Sequence, residues 1–269
     1  MFDKVFIFIL GSIVGSFLNV CIYRMPKEES VIKPRSHCPK CKKPIPWYDN
    51  IPFISYIILR GKCRFCKQRI PFRYFLVELI TASAFLGLYI YYGLGFNFIF
   101  YTLLTCLLII ATFVDIAHRI IPDEITLGGI VVGFLFNVVY SFIQHPASSI
   151  QHPILNSLLG ILIGGLIIYL TGKAFDLVYF RLLKKGPVDG ETESMGGGDV
   201  KLLAMIGAFL GWKAAVLTFF LAPFFGAIVG LTNLIIKKQH TIPYGPFLSL
   251  AAFISLFWTD VIIRLIFFR

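Results

Sequence analysis

The chain has 269 residues, 57% of them hydrophobic and only 14% charged, and its mean hydropathy of +0.81 excludes a soluble globular domain. A formal net charge of +11 would suit a nucleic-acid binder, but the basic residues crowd into connections between apolar runs, which is a topology signal and argues against nucleic acid.

Apolar runs of transmembrane length recur along the whole sequence, so the expected architecture is an all-α polytopic membrane protein embedded in the lipid bilayer. About eight spans are predicted, at 5–23, 74–92, 97–116, 124–143, 154–173, 200–211, 214–236 and 245–266. The sixth is short for a full crossing. The first lacks the basic start and small-x-small cleavage site of a signal peptide, so it reads as a retained helix. Residues 1–23 are therefore taken as a first transmembrane helix, 24–73 as a polar loop domain and 74–269 as a helical membrane core.

The polar segment from Arg24 to Arg73 carries 13 of the 25 Lys and Arg residues, which places it in the cytoplasm and the N-terminus outside. Arg119, Lys184-Lys185 and Lys237-Lys238 then fall on further cytoplasmic connections, and Gly93–Phe96 and Gln144–His152, without Lys or Arg, fall outside. Within the polar segment, Cys38 to Pro46 and Cys63 to Pro71 both read C-x-x-C-K-x-x-I-P. Two such knuckles in a reducing compartment predict a tetrahedral zinc site on Cys38, Cys41, Cys63 and Cys66 rather than disulfides. Four thiolates close the coordination sphere, so the zinc is expected to be structural. His37 is a weaker alternative ligand. The aromatic stretch Trp47 to Tyr56 is too short to span, and either lies at the membrane surface or packs within the zinc module.

The membrane acids carry the chemistry. Asp115 ends the third span and Asp199 opens the sixth, so the topology puts both carboxylates at one depth on the cytoplasmic side. Asp199 follows Gly196-Gly197-Gly198, where a backbone without side chains admits close approach by another chain. Its alternative role is an N-cap for the next helix. Two carboxylates held close share a proton, so the ionised one can take a proton from water while the protonated one polarises a carbonyl. Lys201 stands near enough in sequence to tune a carboxylate or to reach the lipid headgroups. Asp123 looks like a helix cap, and Glu78 is an intramembrane acid with no obvious partner. Asn19 is expected to pack or hydrogen-bond between helices. Pro243-Tyr244-Gly245-Pro246 either flanks the site or forms a simple turn.

With these motifs assembled, the chain resembles the bacterial type IV prepilin peptidases, G-x-G-D membrane aspartic proteases, nearly end to end. The resemblance rests on Gly11-Ser12-x-x-Gly15-Ser16-Phe17-Leu18-Asn19-Val20, both C-x-x-C pairs with Asn50-Ile51-Pro52 between them, Val77-Glu78-Leu79, Asp115 with Ile121-Pro122-Asp123, Gly196-Gly197-Gly198-Asp199 with Lys201-Leu202, and Pro243-Tyr244-Gly245-Pro246. It implies that Asp115 and Asp199 are the catalytic pair, with Glu78, Asp123, Gly196, Gly198 and Lys201 in support. It also implies that prepilins and pseudopilins are the substrates, cut after the glycine that ends a short basic leader. The new N-terminal residue, usually phenylalanine, would then be methylated with S-adenosylmethionine, and the four-cysteine module is typical of members that keep this second activity. Neither a site for that donor nor an oligomeric state is legible in the sequence. The stretch Gly186 to Ser194 departs from the family pattern as a longer connection, with Asp189, Glu191 and Glu193 expected to be solvated. The competing reading is an ion or metal transporter, disfavoured because transporter sites lie near the midplane; a peptidase without methyltransferase activity is the nearer alternative.

Overall fold

A computed structural model describes residues 2–144, 151–182, 195–237 and 242–267, and among these no residue forms a strand. The chain divides into two compact units that part between Ile110 and Ala111.

The first unit holds α1 (Phe2–Arg24), the short α2 (Ile54–Ile58), α3 (Arg73–Tyr92) and most of α4 (Phe96–His118). Gly11 and Gly15, one helical turn apart on α1, face α3 so closely that a Cβ on either would stand 2.8 Å from the Cα of Ala82 or Glu78. Small residues at this spacing let two apolar helices meet backbone to backbone, where dispersion rather than water exclusion holds them in a membrane. Asn19 continues the stripe by one more turn, and its Nδ2 donates to the Tyr74 carbonyl of α3 at 2.9 Å. The predicted interhelical role of Asn19 is therefore a hydrogen bond.

The second unit holds the end of α4, α5 (Asp123–Gln144), α6 (Gln151–Asp176, continuing as a π turn over Leu177–Leu182), α7 (Gly197–Leu210), α8 (Trp212–Lys237) and α9 (Gly245–Phe267). α7 is its core: every residue from Leu202 to Phe209 is buried. The close fit has a local cause. Gly160 on α6 lies backbone to backbone against Gly207, and a Cβ on Gly164 would stand 2.6 Å from the Leu203 carbonyl oxygen. Asn137 of α5 and Ser157 of α6 both donate to the Ala208 carbonyl, at 2.9 and 2.7 Å, which ties three helices at one oxygen.

Each predicted span falls within one of these helices to within a residue, but eight crossings are not confirmed. Among the described residues six helices are long and apolar enough to cross a membrane. α7, with 14 residues, rises only about 21 Å, short of a hydrocarbon core of about 30 Å. The described apolar part of α9 is likewise short, Gly245–Thr259. His145, Lys184, Lys185, Lys238 and the connection Gly186 to Ser194 with its three acids lie outside the described residues.

Candidate active site

Asp115 lies one turn from the end of α4. There Arg119 takes φ +56° and its N–H closes on the Asp115 carbonyl at 2.8 Å, which stops the helix. The side chain is 6% exposed, and its Oδ2 accepts a 2.9 Å hydrogen bond from the backbone N–H of Gly245, the first residue of α9. A helix N-terminus has N–H groups without intrahelical acceptors and partial positive charge, so it is a favourable place to hold a carboxylate. Gly245 is also sterically required: a Cβ there would sit 2.8 Å from that same Oδ2.

Asp199 is the third residue of α7, half-buried, and its carboxyl lies beside Gly196, where a Cβ would stand 3.6 Å from its Oδ2. Asp115 and Asp199 stand close enough for their charges to act on each other, and Tyr244 is in electrostatic reach of Asp199. The Tyr244 hydroxyl is buried with no hydrogen-bond partner among the described residues. Ile121 packs between the two glycine motifs: its side chain would lie 3.1 Å from a Cβ on Gly198 and 3.2 Å from one on Gly245. The segment Pro243 to Pro246 thus flanks the two acids, which settles the choice between a flank and a simple turn.

The predicted supporting residues divide. Gly196 and Gly198 are at the pair. Asp123 is exposed at the first position of α5, and Lys201 Nζ meets its two carboxylate oxygens at 2.6 and 2.9 Å. Lys201 is thereby engaged with Asp123 rather than tuning Asp199. Glu78 lies elsewhere, in the first unit, and it does have a partner: its Oε2 accepts a 3.0 Å hydrogen bond from the Phe53 backbone N–H. The sequence could not show this, because Phe53 belongs to a loop with no periodicity to place it.

The four predicted zinc ligands come together, with their Sγ atoms all within 4.8 Å of one another and Cys38 to Cys66 at 3.8 Å. A tetrahedron with Zn–S of about 2.3 Å has edges of about 3.8 Å, so the cluster fits zinc. The internal repeat is structural as well. Lys42 and Lys67, four residues after the first cysteine of each knuckle, both have positive φ, and each donates its N–H back to the carbonyl of Cys38 or Cys63. Burial opposes ionisation of Cys38, but the backbone N–H groups of Cys41 and Lys40 outweigh it and bring the thiol down to about 7, toward the thiolate a metal requires. His37 is not in the cluster and approaches the Arg35 carbonyl at 3.2 Å. Arg64 grips Asp49 through two hydrogen bonds of 2.7 and 2.6 Å, pinning the Trp47–Asn50 turn to the second knuckle. Within the aromatic stretch Phe53 packs against Phe8 of α1 and Phe75 of α3, while Trp47 and Ile54 are exposed, as are Ile57 and Ile58 just beyond it.

The sequence is similar to two known family profiles: Bacterial Peptidase A24 N-terminal domain over residues 9–92, and Type IV leader peptidase family over residues 102–231. Among curated proteins it is 33% identical to a "Prepilin leader peptidase/N-methyltransferase" of Aeromonas salmonicida (strain A449), covering 98% of this chain and 92% of the relative. The proteins of that name from Aeromonas hydrophila and Neisseria gonorrhoeae are 34% and 33% identical, covering 98% and 95% of this chain and 92% and 91% of the relatives. No solved structure matches the chain.

Proposed function

The chain belongs to the type IV leader peptidase family, and from that premise we propose that it cleaves the basic leader of prepilins and pseudopilins and then methylates the amine it has exposed. The observation that carries the first step is the meeting of Asp115 and Asp199, far apart in sequence, at the N-termini of α7 and α9.

In this reading the pair holds one proton. The ionised carboxylate takes a proton from a water molecule as the water's oxygen attacks the scissile carbonyl, and the protonated one donates to the carbonyl oxygen. When the C–N bond breaks, a proton passes to the leaving amine and the pair returns to its starting state. Gly245, through its N–H on Asp115 Oδ2, fixes one carboxylate in place. The substrate's basic leader matches a cytoplasmic approach, the side to which the cationic segment Arg24 to Arg73 assigns the site.

Cys38, Cys41, Cys63 and Cys66 would hold zinc as a structural ion, cross-linking the two knuckles. S-adenosylmethionine supplies an electrophilic methyl group. The neutral N-terminal amine forms the new N–C bond, the C–S electron pair stays on sulfur, and the amine gives up a proton.

The test is to incubate detergent-purified protein with a prepilin, with and without S-adenosylmethionine, and record intact product masses. Loss of the leader plus one methyl group is expected from the parent protein, and no cleavage from folded Asp115→Asn or Asp199→Asn. Cleavage that survives either substitution would remove the pair from the mechanism.

A further inference from the structure

The first unit contains a cavity that the peptidase chemistry does not use. It lies between the cytoplasmic ends of α1 and α3 and the zinc module, and encloses about 200 Å³ open to the centres of water molecules. A ligand's atoms reach further toward the walls than water centres do, so the space admits a molecule well above that volume.

Two polar groups in its wall lack what they need. Asn19 is 2% exposed; its Nδ2 is used on Tyr74, but its Oδ1 is buried with no donor among the described residues. Such an oxygen costs stability unless something donates to it. Glu78 is buried in the same wall, accepting from the Phe53 N–H, and no ion pair reaches it among the described residues, although Arg24, Lys43, Arg64 and Arg69 also line the cavity. An acid buried in a membrane protein without an ion-pair partner gains from a cation that a ligand brings to it.

The backbone opposite Glu78 is strained to serve it. Phe53 has φ +60° and ψ −55°, and the Ile54 N–H reaches back to the Pro52 carbonyl at 2.6 Å. This is the uncommon γ-turn of positive φ, costly for a bulky residue and maintained only where surroundings impose it. It turns the Phe53 N–H onto Glu78 and its ring toward Phe75, which also packs on Tyr56, at centroid distances of 5.4 and 5.5 Å. All three rings line the cavity. A carboxyl group, aromatic faces and basic residues around one space favour an organic zwitterion with a cationic centre and a flat apolar part.

We infer that this cavity binds the S-adenosyl methyl donor, with Glu78 facing its positive charge and Asn19 Oδ1 accepting from its N–H or O–H groups. The inference rests on the methyltransferase reading above and supplies the site that reading lacks. Were Glu78 only a tether for the Phe53 loop, a neutral glutamine would serve, because its side-chain oxygen still accepts from that N–H. The charge is needed only for a charged ligand.

The experiment is calorimetric binding of three ligands to the zinc-loaded full chain in detergent: S-adenosylmethionine, sinefungin (an ammonium in place of the sulfonium) and S-adenosylhomocysteine (neutral at sulfur). The parent protein is expected to favour the two cations, and Glu78→Gln to lose that preference by about ten-fold while keeping its zinc and melting temperature. Val20→Phe, which fills the cavity from α1 without touching a polar group, is expected to weaken all three ligands. Should Glu78→Gln lose its zinc or melt early, Val20→Phe decides alone. Donor binding unchanged in a folded variant overturns the inference and leaves the enzyme reading standing. A parent protein that cuts prepilin yet binds none of the three overturns the methyltransferase reading and this site together.

Discussion

Three glycines near the acid pair make unequal demands, and substituting each by alanine separates them. At Gly245 the new Cβ would lie 2.8 Å from Asp115 Oδ2 and 3.2 Å from Ile121 Cδ1, so it can turn from neither. Relieving the oxygen contact to an ordinary separation of about 3.2–3.3 Å lengthens the present 2.9 Å Gly245–Asp115 hydrogen bond past its useful range. A hydrogen bond to a charged group contributes about 1.5–3 kcal/mol, so Gly245→Ala should slow the chemical step roughly 10- to 150-fold. At Gly198 the Cβ meets Ile121 at 3.1 Å, a contact a side chain can yield to, and a few-fold loss is expected. At Gly197 nothing lies within 4 Å, so Gly197→Ala should cleave like the parent protein. Single-turnover cleavage of a prepilin in detergent, with melting temperature recorded for each variant, reads the series. Parent-like cleavage by Gly245→Ala, or a loss at Gly197 as large as at Gly245, would refute the positioning argument.

The Lys201–Asp123 ion pair is exposed on both sides, so Lys201→Ala should cost under about 1 kcal/mol of stability and change cleavage less than about three-fold; thermal melting and initial rates check both. Zinc analysis should return one ion per chain, and Cys66→Ser should lower both the zinc content and the protease resistance of the segment between α1 and α3. The ligands must be thiolates, so acidification should release the ion as protons compete for the four sulfurs; release that is independent of pH would argue against thiolate ligation.

Much of this protein is local and therefore legible in sequence. A run of some twenty apolar residues has few alternatives to a buried helix, because its backbone must satisfy its own hydrogen bonds in lipid. The two C-x-x-C-K-x-x-I-P repeats fold as two matching knuckles because each turn is closed within seven residues, and the four thiols then meet. The acids were also marked by type and position, since an ionisable group at a helix end in a membrane protein has few idle roles.

What the sequence could not decide are contacts between groups remote in the chain. Lys201 stands two residues from Asp199, yet its ammonium meets Asp123, because α5 packs on α7 and brings the two helix starts together. Composition alone does not fix the number of crossings for a related reason: α7 is apolar from Leu202 to Leu210 because other helices surround it, and burial in protein gives the same composition as burial in lipid. The backbone N–H that holds Asp115 belongs to Gly245, and the one that holds Glu78 belongs to Phe53. Neither donor carries a side-chain signature, since every residue but proline has the same N–H. Residue type determined which groups can do chemistry here; only the packing of the helices decided which backbone atoms position them.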